Sequence, residues 1–83
     1  RMYCTRFCPY CIMALRLLDK KGQEIEKIYV DDDPSMRKKM VQESKGRTTV
    51  PQIFINGSHI GGYTDMVQLD LNDTLDPLLN ASQ

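Results

Sequence analysis

The chain carries no surplus of charge. Its 11 Lys and Arg offset its 11 Asp and Glu, leaving a formal net charge of zero. A sequence-blind phosphate binder needs excess cations on some face, so nucleic acid is not an expected partner. There is also no apolar run near the roughly 18–20 residues that a membrane helix requires, and no membrane contact is expected. No signal-peptide pattern opens the residues given, and because they begin at Arg1 and not Met, further N-terminal residues are expected. No cysteine follows Cys11; the three present, Cys4, Cys8 and Cys11, are crowded together near the start. A disulfide framework spreads an even number of cysteines along a small secreted chain. An odd, clustered set points to chemistry at one place in a reducing compartment, so the cytoplasm is the expected location.

The composition, 41% hydrophobic and 27% charged, is that of a folded chain. With 83 residues and no repeat, linker or low-complexity tract, residues 1–83 should form one domain. Arg1–Thr5 reads as a strand end. Ile12, Leu15 and Leu18, widened by Met13 and Leu17, then recur at helical spacing, predicting a helix over Tyr10–Lys21 stopped by Gly22. Glu26–Val30 reads as a second strand. Asp33-Pro34 combines a capping residue with a proline at the first helical position, opening a helix that faces Met36, Met40 and Val41 inward and ends near Lys45-Gly46. Gln52–Ile55, the turn Asn56-Gly57 and Ser58–Ile60 form a hairpin. Thr64 is expected to cap a helix to about Asp70, and Asp76-Pro77 to start a short last one with Leu78 and Leu79. The order βαβαββα plus a terminal helix implies a parallel crossover and an antiparallel edge. The expected architecture is α/β and thioredoxin-like: a four-stranded mixed sheet with helices on both faces.

Cys8-Pro9-Tyr10-Cys11 falls where the first strand gives way to the first helix. Unpaired amides and the dipole at a helix start favour an anion, and cysteines held there titrate at roughly 3.5–7.5. Thiolate is the attacking species, so Cys8 is the expected nucleophile and Cys11, within disulfide reach on the first turn, the resolving thiol. Zinc would need four ligands. Cys4, Cys8, Cys11 and His59 could supply them, but Cys4 lies on an extended segment and no second close-spaced pair exists, so no metal is expected. The spacing also imitates the three-cysteine cluster motif of radical enzymes, which need a far larger barrel. Cys4 is expected to be a buried strand residue, and His59 structural or solvent-facing. The basic run Arg37-Lys38-Lys39 reads first as a solvated helix face. Thr49-Val50-Pro51 precedes a strand, where proline is tolerated; by base rate alone its bond would be trans.

Cys8-Pro9-Tyr10-Cys11, Thr49-Val50-Pro51 and Gly61-Gly62-x-x-Asp65 together resemble the dithiol glutaredoxins. Gly46–Ile55, His59–Gly62 and Leu75–Leu79 look like the bacterial glutaredoxin 3 group of that family. The resemblance spans essentially the whole chain. It implies a glutathione-dependent thiol–disulfide oxidoreductase acting on protein disulfides and glutathionylated proteins. Glutathione would be a co-substrate, with no tightly bound cofactor, and the protein would be a monomer. It further implies a cis bond before Pro51 and a glutathione site formed by Tyr10, Lys38, Thr49, Val50, Pro51, Gly62, Thr64 and Asp65. In that site the backbone of Val50 would pair with the cysteinyl unit, and Thr64 and Asp65 would meet the γ-glutamyl end. Lys38 would then leave its solvated face for the glycyl carboxylate. The family usually has Lys three residues before the first cysteine; here Thr5 stands there. Weaker anchoring is expected unless Arg6, Arg37 or Lys38 compensates. Three rivals share some of these features: a redoxin coupled to thioredoxin reductase, a carrier of a glutathione-ligated iron–sulfur cluster, and a module with an inert cysteine staple.

Overall fold

In the computed structural model, which describes residues 1–80, the first strand runs Met2–Cys4 (β1) and all three side chains are buried. Successive strand side chains face opposite ways. Met2 and Cys4 therefore enter one core layer and Tyr3 the other. β1 pairs in parallel with β2 (Lys27–Tyr29) and antiparallel with β3 (Gln52–Ile55). β3 in turn pairs antiparallel with β4 (Ser58–Gly61), giving the sheet order β2-β1-β3-β4. This is the mixed sheet of a thioredoxin-like fold.

Helices α1 (Pro9–Lys20), α3 (Tyr63–Leu71) and α4 (Leu75–Asn80) cover one face. Their Cys11, Ala14, Leu18, Met66, Leu75 and Leu79 pack with Met2, Cys4 and Ile53. Helix α2 (Pro34–Glu43) covers the other, where Met40 meets Tyr3, Val30 and Phe54. Lys21 ties the three helices of the first face together, its ammonium lying 2.8 Å from Asp70 and 2.7 Å from Asp76. Asn56 and Gly57 both adopt positive φ, 53° and 83°, as the tight hairpin between β3 and β4 demands.

Four local expectations are corrected. On α1 the inward stripe is Cys11, Ala14 and Leu18, while Ile12 and Met13 are exposed, because the turn that carries Cys11 inward rotates its successors out. α2 closes at Ser44, before Lys45 and Gly46, which both take positive φ. The Ser44 hydroxyl donates to the Arg47 carbonyl at 3.0 Å and holds this exit. The cap of α3 is Gly62, not Thr64, which lies inside the first turn. α4 starts at Leu75, so Asp76 and Pro77 sit within its first turn, where Pro costs no intrahelical hydrogen bond. The Asp33 cap is as expected, its carboxylate accepting from Ser35 and Met36.

Met66 is fully buried and anchors α3 against the sheet, whereas Leu71 on the same helix is 72% exposed. Met66→Ala should cost about 2–5 kcal/mol of unfolding free energy, and Leu71→Ala no more than about 0.5 kcal/mol. Urea denaturation of both variants measures the difference.

Candidate active site

Cys8 is the N-cap of α1 and Pro9 its first helical residue. The ring's missing N–H is therefore no loss, and Cys8 stands at the end of the helix where the first-turn amides lack intrahelical partners. Cys8 is half-buried, and its thiol points to the Val50 carbonyl oxygen at 3.9 Å. Cys11 lies one turn deeper and is buried. All three cysteines are free thiols. Burial, reinforced by its hydrogen bond with Cys8, pushes the Cys11 thiol up to about 12, against a smaller opposite effect of the Thr5 backbone. Cys4 is fully buried, and burial raises its thiol too. One sulfur is thus offered to solvent and two are held back.

Beside Cys8 lies a groove of about 160 Å³. It is lined by Tyr10, Thr49, Val50, Pro51, Gly62, Thr64 and Asp65, together with Arg47 and Tyr63. The Val50–Pro51 bond is cis. Tyr10 and Tyr63 form a wall, their ring centres 6.1 Å apart. Larger by volume, a groove of about 660 Å³ runs along α1 and the segment from Gln23 to Lys27, but it contains no thiol.

The loop before Pro51 is held from beneath. Gln52 is fully buried and its amide nitrogen donates to the Thr49 carbonyl at 2.9 Å and the Thr49 hydroxyl at 3.2 Å. The Gln52 oxygen then accepts from Nε2 of His59 at 2.7 Å. Burial, with Arg47 nearby, holds the His59 ring below its usual value, and the Gln52 oxygen, which can only accept, requires the proton on Nε2. His59 is thus structural, as expected, and linked to the groove through Gln52.

At the far end of the groove, an Asp65 carboxylate oxygen accepts from the Gly62 amide at 2.8 Å and from Arg47 Nη1 at 3.3 Å. Gly61 makes this possible. Its φ is +117°, and a Cβ there would stand 2.8 Å from Asp65 Cγ and 2.9 Å from Arg47 Nη1. Lys38 is exposed on α2 and does not line the groove. Its neighbour Arg37 reaches the Thr48 carbonyl at 3.4 Å. Arg6 pairs with Asp31 and Asp32, at 2.9 and 2.8 Å, and does not line the groove. The cation that does line the groove is Arg47, which motif reading passed over because it stands outside Thr49-Val50-Pro51.

The glutaredoxin family model matches residues 1–60. The chain belongs to the glutaredoxin family. It is 46% identical over 78 residues to glutaredoxin 3 of Escherichia coli (strain K12), covering 94% of this chain and 93% of that one. The dithiolic glutaredoxin 2-C-Grx1 of Trypanosoma brucei brucei superimposes with a TM-score of 0.84 at 39% identity, covering 95% of this chain and 84% of that one. A buckwheat glutaredoxin–glutathione complex gives 0.88 at 28% identity, covering 96% and 74%. A glutaredoxin is a glutathione-dependent thiol–disulfide oxidoreductase, so glutathione is this chain's co-substrate. No described helix is long and apolar enough to cross a membrane.

Two outcomes follow from the groove's supports. Gln52→Leu leaves the Thr49 carbonyl and His59 without their buried partner. It should raise KM for a glutathionylated peptide several-fold in steady-state assays, with kcat less affected. The Gly62 amide, ahead of Arg47, holds the Asp65 carboxyl below its ordinary 3.8. A carboxyl lowered by folding contributes stability above its unfolded pKa and loses it as pH falls through the folded one. The Tm difference between wild type and Asp65→Asn should therefore be full well above the ordinary carboxylate value of 3.8 and shrink as the pH falls below it.

Proposed function

We propose that Cys8 is the nucleophile and Cys11 the resolving thiol, with residues 1–83 acting as one glutaredoxin domain. The observation that carries this assignment is the inequality of the pair: Cys8 caps α1 half-exposed, while Cys11 is 1% exposed beneath it. On a glutathionylated protein, the Cys8 thiolate attacks the glutathione sulfur. The protein–glutathione bond breaks, a Cys8–glutathione bond forms, and the protein leaves as a thiolate that takes a proton. A second glutathione thiolate then attacks the glutathionyl sulfur, releasing glutathione disulfide and restoring Cys8. On a protein disulfide, Cys8 forms a mixed disulfide with one target sulfur. Cys11, deprotonated as it attacks, displaces the reduced target and leaves a Cys8–Cys11 disulfide. Two glutathione molecules reduce it, and glutaredoxin potentials of about −200 to −230 mV suit that pool.

Glutathione sits in the groove. Its cysteinyl backbone lies along Val50 beside the cis Pro51, with Thr49 and Tyr10 flanking it. Its γ-glutamyl end meets Gly62, Thr64 and Asp65, where the amides opening α3 suit a carboxylate. Lys38 is the distant cation for the glycyl carboxylate, approached from α2 beside Arg37. The substrates are disulfide-bonded and glutathionylated proteins, the enzyme works as a cytoplasmic monomer, and it holds no cofactor tightly.

Cys8→Ser should abolish both reactions. Cys11→Ser should retain removal of glutathione from a peptide while losing reduction of an intramolecular protein disulfide. Coupled assays with glutathione reductase measure both, and equal loss in the two variants would contradict the assignment.

A further inference from the structure

Phe7 directly precedes Cys8 and is 91% exposed, more than any other large hydrophobic side chain among the described residues. It joins neither core cluster and does not line the groove beside Cys8. The exposed large hydrophobic residues are Phe7, Tyr10, Ile12, Met13, Tyr29 and Leu71, and four of these six fall between positions 7 and 13. That segment carries the nucleophile. Apolar side chains scattered singly over a surface need no explanation, whereas a concentration of them beside charged groups marks a contact surface.

The charged groups are those of Arg6. Its backbone amide donates to Asp31 at 3.3 Å, and its Nη1 reaches Asp31 and Asp32 at 2.9 and 2.8 Å. Its guanidinium lies 4.7 Å from the centre of the Tyr29 ring. Residue 6 is thus tied through backbone and side chain to the end of β2, and the next residue, Phe7, stands out in solvent. Nothing in the core offsets the cost of leaving that ring in water.

When Cys8 attacks a protein disulfide, the target S–S bond breaks and a Cys8–target bond forms. The other target sulfur leaves as a thiolate and takes a proton. The target backbone is then held close to Cys8, and a groove of about 160 Å³ is too small to take a folded chain. The residues flanking the target cysteine therefore rest on the rim, where Phe7 adjoins the new bond. We infer that Phe7 is a specificity-determining residue for protein substrates, receiving an apolar side chain next to the target cysteine in this mixed disulfide. A small disulfide without a polypeptide makes no use of it. The inference deepens the proposed function and rests on Cys8 forming that bond.

The test uses two peptides, each closed by one disulfide and identical except that Leu or Gly follows each cysteine. A third substrate, the mixed disulfide of glutathione and 2-mercaptoethanol, has no polypeptide. Values of kcat/KM are measured with glutathione and glutathione reductase for wild type, Phe7→Ser and Phe7→Leu. Wild type should prefer the Leu peptide, and Phe7→Ser should lose roughly fivefold of that preference, the scale of half-burying one apolar side chain. Phe7→Leu should keep most of it, because apolar area and not the ring is what the contact needs. Turnover of the mercaptoethanol substrate should be the same in all three proteins. An exposed side chain contributes little to folding, so the variants should be as stable as wild type. A preference absent from wild type, or unchanged in Phe7→Ser, would overturn the role of Phe7 and leave the dithiol assignment standing. So would an equal loss on all three substrates, which would place the effect on Cys8 itself. If wild type reduces neither peptide yet turns over the mercaptoethanol substrate, the protein-disulfide branch fails and the inference falls with it.

Discussion

Burial makes two sulfurs, one helical turn apart, chemically unequal. Cys8 ends a loop and caps α1, whereas Cys11 faces inward with Ala14 and Leu18 against the sheet. That difference follows from helix geometry, since a stripe that carries position 11 into the core leaves the cap residue at the rim. A dithiol with two equally exposed sulfurs could attack with either one. Here the deeper thiol stays protonated and acts only when a mixed disulfide is already within its reach. The protein-disulfide branch of the proposed mechanism depends on this ordering, while removal of glutathione needs only the exposed Cys8.

The sheet turns that local asymmetry into a site. β1 delivers the chain to Cys8, and β3 begins immediately after Pro51, so the cis peptide faces the sulfur across neighbouring strands. β4 ends at Gly61, where α3 starts. Three segments remote in sequence thus meet at one edge, consistent with ligand sites forming where strands end and helices begin. Gln52 connects them internally: its side chain holds Thr49 on one side and His59 of β4 on the other.

Most of this was legible in the residues. Pro and Gly signals placed the elements to within two or three positions, the Asn56-Gly57 turn and the Asp33 cap were met, and the cysteine pair marked the chemistry. What escaped shares a physical cause. Ile12 and Met13 were read as core because a hydrophobic stripe on α1 admits two phases, and only packing selects the one that buries Cys11. Thr64 was read as a cap because its side chain suits the role, but Asp65 reaches back to the Gly62 amide and supplies the cap from inside the helix. Arg47 and Gln52 act across 18 and 7 residues respectively, and no local pattern shows such a partner. Lys38, carried over from the family resemblance, is exposed on α2 outside the groove lining, and its proposed role depends on a ligand that extends beyond that lining.

The ordering of the two thiols can be measured directly. Reduced protein is treated with limiting iodoacetamide at pH 7, and the modified cysteines are mapped by mass spectrometry over time. Cys8 should be alkylated at least roughly tenfold faster than Cys11, whose thiol is buried and held protonated, with Cys4 unmodified while the protein stays folded. Alkylation of Cys11 at a rate equal to or above that of Cys8 would contradict the assignment of nucleophile and resolving thiol.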